Sequence, residues 1–247
     1  MKRATEYLLS AVYLTYFSLI LLLFHVAQVL AFWIGGRAAQ KPVADWLNRC
    51  IMEGWILTGS THKFRFDYTP PTDRPIIFVA NHQSMFDISP IAWYLKSYNP
   101  IFVSKIELST GTPSVSYNLR KSGAALVDRK DPRQAMSELG RLGQRLKEGA
   151  CSVVIFPEGT RSRDGKPKPF AGGGLAILLR KCPNALIVPI AITGTGHFNP
   201  EGLFPLRPNS PMTWTVLPPI EPAGMNGEQV ARQTQEAILA HVPMPAI

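Results

Sequence analysis

Apolar positions follow three patterns along this chain. From Tyr7 to Ile34 no side chain is charged, and the run reads YLLSAVYLTYFSLILLLFHVAQVLAFWI. As a straight helix it extends roughly 42 Å, more than the roughly 30 Å of a bilayer's hydrocarbon core, so tilting, kinking or partial seating in the interface is expected. Lys2 and Arg3 precede the run as they would in a secretory signal, but a signal's apolar stretch is only about 7–15 residues long. After Gly35-Gly36, residues Val43, Trp46, Leu47, Cys50, Ile51 and Trp55 fall close to helical spacing between Pro42 and Thr58. That spacing predicts an amphipathic helix, packed on the first helix, lying in the headgroup layer, or set in the core of a soluble domain.

From Lys63 onward the pattern changes to short β-like runs separated by turn signals: KFRFDY, PIIFVA, PIFVS, AALVD, CSVVIF, ALIVPIAI and PMTWTVL. Helical stretches lie between several of them. Pro132 to Glu148 reads as a helix with Asp131 as N-cap, Pro132 at the first helical position and Gly149 as terminator. Further helices are expected over Gly174 to Lys181 and about Glu228 to His241. Strands joined through helices predict an α/β fold, a mostly parallel central sheet flanked by helices. The expected division is 1–60 for membrane-anchoring helices and 61–247 for a catalytic domain.

Charge narrows the partners. Lys+Arg 26 against Asp+Glu 17 gives a formal net charge of +9, which favours an anionic partner, while a 46% hydrophobic and 17% charged composition favours a lipid surface over nucleic acid. Cys50, Cys151 and Cys182 lack the close pairing of a disulfide framework or a zinc site. Cys151 opens an apolar run with no activating neighbour and reads as core.

Two loops carry candidate chemistry. PIIFVA ends at Asn81-His82-Gln83-Ser84-Met85-Phe86-Asp87, which places an imidazole and a carboxylate just past a strand end, where α/β sheets hold their sites. On one helix the two would point to different faces, so a turn must bring them together. Ser89-Pro90 supplies a helix start beyond that turn. In such a pair Asp87 fixes the imidazole tautomer and His82 takes a proton from a hydroxyl. The plainer readings are a capping box between Ser84 and Asp87 and a hydrogen-bonded structural histidine. No second His or Cys stands at metal-ligand spacing.

The other loop follows CSVVIF as PEGTRSRDGKPK, Pro157 to Lys168. It fails the P-loop pattern, because five residues separate Gly159 from Gly165 and Pro167 stands where a magnesium-binding hydroxyl belongs. Amides near Gly159 and the Arg161 guanidinium suit phosphate oxygens, although a solvated basic loop has the same composition. Lys105 and Arg129, each just past an apolar run, read as surface charge or as further cations at the same sheet edge.

The ordered blocks NHQSMFD, GAALVDR (Gly123 to Arg129), FPEGTRSR (Phe156 to Arg163) and VPIAITG (Val188 to Gly194) resemble the glycerolipid acyltransferase family, in its 1-acylglycerol-3-phosphate acyltransferase (PlsC-like) branch. The similarity spans about residues 75–195. It implies an α/β domain tethered by N-terminal helices to the cytoplasmic face of a bacterial inner membrane. It also implies His82 as base and Asp87 as its partner, with transfer of an acyl group from acyl-CoA or acyl carrier protein to the sn-2 hydroxyl of lysophosphatidic acid. Glu158, Gly159, Thr160 and Arg161 then help bind the acceptor, assisted by Lys105 and Arg129, while Val188, Pro189 and Ile190 lie near the donor or shape the core. Neither a cofactor nor a metal is implied, and the partners are the two substrates and membrane lipid. Segment Ser109 to Tyr117, STGTPSVSY, departs from the family's bulkier apolar stretch. The competing readings are another lysolipid as acceptor, such as a lyso-ornithine lipid, a noncatalytic lipid-binding protein of the same fold, and a nucleic-acid binder. The last is disfavoured because the basic loop carries no aromatic.

Overall fold

The computed structural model describes residues 2–162 and 168–242. Its first helix, α1 (Lys2–Glu53), breaks at Gly35 and Gly36, whose backbone angles are not helical. Gly36 sits at φ 61° and ψ −148°, a conformation in which a side chain would be strained, so the pair acts as a hinge between two helical arms. Pro42 lies within the second arm, which passes into a short 3-10 turn, Gly54–Thr58. The break falls where the uncharged run ends.

All seven β-like runs form strands: β1 (Thr61–Phe66), β2 (Ile76–Ala80), β3 (Pro100–Lys105), β4 (Ala125–Val127), β5 (Ser152–Ile155), β6 (Leu186–Thr193) and β7 (Pro211–Val216). They make one sheet in the order β1-β7-β6-β2-β5-β3-β4. β6 and β7 pair antiparallel, and every other neighbouring pair is parallel. β2 lies between β5 and β6 with all five residues buried, the expected state of a strand covered on both faces. Its side chains alternate between two cores. Ile76, Phe78 and Ala80 join the core that contains Tyr13 and Phe17 of α1, whereas Ile77 and Val79 join the core on the other face.

Helices α2 (Ile88–Tyr94) and α3 (Val115–Ser122) contribute to the α1 side. α4 (Pro132–Lys147), α5 (Gly173–Lys181) and α7 (Gly227–Leu239) cover the opposite face, and α6 (Thr195–Phe198) is a single turn after β6. α4 begins as expected, the Asp131 carboxylate accepting from the amides of Arg133 and Gln134. The start expected at Ser89-Pro90 is corrected. A 3-10 turn, Met85–Asp87, capped by Ser84, leads straight into α2 at Ile88. Pro90 is then third in the helix, where its missing N–H costs nothing because first-turn amides have no intrahelical acceptor.

The polar segment from Ser109 to Tyr117 faces a polar seam on α1. The Ser114 hydroxyl donates to Leu21 O at 2.9 Å and accepts from Gln28 Nε2 at 3.1 Å, while its amide donates to His25 Nδ1 at 3.2 Å. Gln40 bonds Gln28 and Asn118, and Arg37 bonds Gln40 and Asn118. Ser114, with Asn118 just beyond the segment, therefore satisfies polar groups on an otherwise apolar helix.

Candidate active site

β2, β5, β3 and β4 run parallel, so their C-terminal ends share one sheet edge. That edge collects His82 after β2, the Phe156 to Ser162 turn after β5, Lys105 closing β3 and Arg129 after β4. Lys105 and Arg129 are both exposed there. Just past β2 the Asn81 side chain continues the ladder, accepting from Ile192 N at 2.7 Å and donating to Ile192 O at 2.9 Å. The chain then leaves the sheet, and the His82 ring turns back toward Asp87.

His82 Nδ1 lies 2.8 Å from Asp87 Oδ2. An ionised carboxylate can only accept, so Nδ1 carries the proton and Nε2 remains for a substrate. The same Oδ2 accepts the amides of Gln83 at 2.7 Å and Ser84 at 2.9 Å, which is also the capping box of the 3-10 turn. The capping and catalytic readings of Asp87 are therefore one geometry. Asp87 is fully buried, and the His82 side chain is 16% exposed. Two groups missed from the sequence complete its shell. Thr195 Oγ1 donates to Asp87 Oδ1 at 2.6 Å, and Trp214 Nε1 donates to the Asp87 carbonyl at 3.2 Å. Both come from more than a hundred residues away; the only local signal for Thr195 was its place just beyond a strand that ends in Thr-Gly.

The turn after β5 holds His82 from the other side. Phe156 stacks on the imidazole with ring centroids 4.4 Å apart. Glu158 Oε1 accepts the His82 amide at 2.8 Å, and the Ser162 amide donates to the His82 carbonyl at 2.9 Å. Glu158 Oε2 accepts the Lys168 amide at 3.1 Å, so both oxygens of this buried carboxylate serve backbone groups. Burial raises its proton affinity above the ordinary carboxyl value, a rise opposed by those two amide bonds. Gly159 takes φ 69°, the left-handed conformation that lets the turn close, and Thr160 and Arg161 next to it are exposed. Lys168 Nζ donates to Thr160 Oγ1 at 2.6 Å. Residues 163–167 of the basic loop lie outside the described residues.

Among the described residues no group of three or more His, Cys, Asp or Glu side chains stands at metal-holding distance. Cys151 and Cys182 are buried, and burial pushes both thiols up, away from nucleophilic use.

The family model described as Acyltransferase matches residues 63–193, more than half of the chain and inclusive of both loops. The chain belongs to this acyltransferase family. A 1-acyl-sn-glycerol-3-phosphate acyltransferase of Chlamydomonas reinhardtii is 31% identical over 70% of this chain and 50% of its own length. The chloroplastic enzyme BAT2 of Brassica napus, of the same name, is 37% identical over 54% of this chain and 37% of its own. The chain thus spans half or less of the length of these curated relatives. The crystal structure of the 1-acyl-sn-glycerophosphate acyltransferase PlsC from Thermotoga maritima superposes with a TM-score of 0.80 at 23% identity, covering 98% of this chain and 96% of that one. That likeness establishes the acyltransferase fold from the N-terminal arms through α7. Among the described residues one helix, α1, is long and apolar enough to cross a membrane.

Proposed function

We propose that this chain transfers a fatty acyl group from a thioester, acyl-CoA or acyl carrier protein, to the sn-2 hydroxyl of lysophosphatidic acid, giving phosphatidic acid at a membrane surface. The observation that carries the reading is the 2.8 Å contact between His82 Nδ1 and Asp87 Oδ2, in a loop whose backbone is held by the basic turn. His82 Nε2 takes the proton of the acceptor hydroxyl as its oxygen attacks the thioester carbonyl. The carbon–sulfur bond breaks, and the thiolate leaves and recovers a proton from the imidazolium. Asp87 stabilises that imidazolium without itself taking the proton. Arg161, Lys105 and Arg129 engage the acceptor's phosphate beside the Gly159 and Thr160 turn. Glu158 contributes through the shape of that turn, since its oxygens face the backbone.

Acyl-transfer assays on membranes, with lysophosphatidic acid and each donor, test this reading. A folded His82→Ala variant loses about 10²–10⁴-fold in kcat/KM, the usual contribution of a general base. Near wild-type turnover in that variant ends the mechanism, and faster transfer to a phosphate-free lysolipid ends the acceptor assignment. Arg161→Ala raises the acceptor's KM more than the donor's, and Arg161→Lys recovers only part of the loss, because an ammonium makes no forked contact.

A further inference from the structure

Thr195 is fully buried, and its hydroxyl lies 2.6 Å from Asp87 Oδ1 and 3.3 Å from Gln83 Oε1. A hydroxyl has one proton, and the shorter contact with the ionised acceptor takes it. Gln83 Oε1 is left with the Gly196 amide at 3.4 Å. Asp87 Oδ2 already accepts from His82, Gln83 and Ser84, whereas among the described residues Thr195 is the sole donor to Oδ1. The placement is built into the chain. Gly194 follows β6 at φ 84°, and a Cβ there would fall 2.1 Å from Pro211 O, so only glycine makes the turn that points Thr195 at Asp87.

We propose that Thr195 is a positioning residue of the His82–Asp87 pair, setting through Asp87 Oδ1 how tightly the carboxylate holds the imidazolium. This rests on His82 acting as the base. A hydrogen bond to a charged carboxylate stabilises the charge and weakens its attraction for a proton. With Thr195 present the imidazole is oriented yet released to its neutral, proton-accepting form at lower pH. Without it, Oδ1 is a bare acceptor in a dry site, the carboxylate is more basic, and the imidazolium persists to higher pH.

Other charged or titratable groups also surround the pair. Glu158 sits on the His82 amide, Lys168 and Arg161 belong to the same turn, and His197 on α6 places Nδ1 against Ser210 Oγ. The packed neighbours Tyr13, Phe17, Phe156 and Trp214 bring no charge.

The test is an NMR titration of the His82 ring in full-length protein in micelles without substrate, run beside pH–rate profiles. Thr195→Val moves the His82 midpoint up by about half a pH unit or more, and the acid limb of kcat/KM moves with it. kcat falls about 10-fold while both KM values hold within about twofold. Thr195→Ser restores midpoint and rate. An unmoved His82 midpoint in Thr195→Val, or a Ser variant as impaired as Val, overturns the proposal. Should Val fail to fold, Thr195→Cys, a weaker donor of similar size, carries the same expected direction and the same refutation. Because the titration needs no acceptor, a wrong assignment of lysophosphatidic acid shows in the wild-type assay and leaves this result readable.

Discussion

The Glu158 carboxylate accepts two backbone amides, which favour its charged form, yet burial outweighs them and lifts its proton affinity above the ordinary value of 4.5. A group whose folded value is raised gives stability that is fully present below 4.5 and is lost as pH rises through the folded value. The Glu158 contribution to the wild-type thermal midpoint therefore declines across that window. Glu158→Gln removes the decline. It also lowers stability overall, because one amide oxygen serves only one of the two N–H groups, and an unpaired buried donor costs about 1–3 kcal/mol. Midpoints recorded against pH for both proteins check this, and parallel curves would contradict it. The change also loosens His82, so activity falls further than stability when both are measured well below the midpoint. Chain order shows Glu158 in a basic turn but not which way it faces; its inward orientation follows from the meeting of β2 and β5 at one edge.

At the scale of elements, α1 reaches the catalytic loop through a column of rings. Trp55 Nε1 donates to Tyr13 Oη at 3.1 Å, Trp55 stacks on Trp214 with centroids 5.9 Å apart, and Trp214 Nε1 holds the Asp87 carbonyl. Trp55→Ala empties a fully buried site and costs about 3–5 kcal/mol. Thermal inactivation then comes earlier, and kcat at low temperature also drops because Trp214 loses its support. An unchanged kcat would show that the column holds the fold alone. Every strand was legible as a β-like run, and α4 announced itself through Asp131 and Pro132, since local chemistry decides those elements. α2 starts at Ile88, one residue before the cap-like Ser89-Pro90, because the 3-10 turn capped by Ser84 and tied to Asp87 leads straight into it.

For the whole molecule, the uncharged run and its Gly-Gly end were readable from composition, but the degree of its burial was not. Tyr13, Phe17, Ile20 and Leu21 sit in one core with Phe86, Phe198 and Trp214, so the first arm packs as part of the sheet's own core. The boundary expected at residue 60 marks a change of secondary structure inside a continuous core. The outward side of the same arm leaves Leu19, Leu22, Leu23, Val26 and Leu30 exposed, and the hinge presents Trp33 and Ile34 at 80% and 86% exposure. An apolar strip of this kind buries itself at the boundary between headgroups and acyl chains.

The helix that carries this strip also places Tyr13 and Phe17 in one core with Phe86, next to Asp87, so the proposed transfer to lysophosphatidic acid would draw on a two-dimensional pool of acceptor. Turnover should follow the mole fraction of lysophosphatidic acid in the surface and not its bulk concentration. Adding inert detergent at fixed total lysolipid then slows the enzyme by dilution within the surface, and a rate indifferent to that dilution would mean that the acceptor arrives through water.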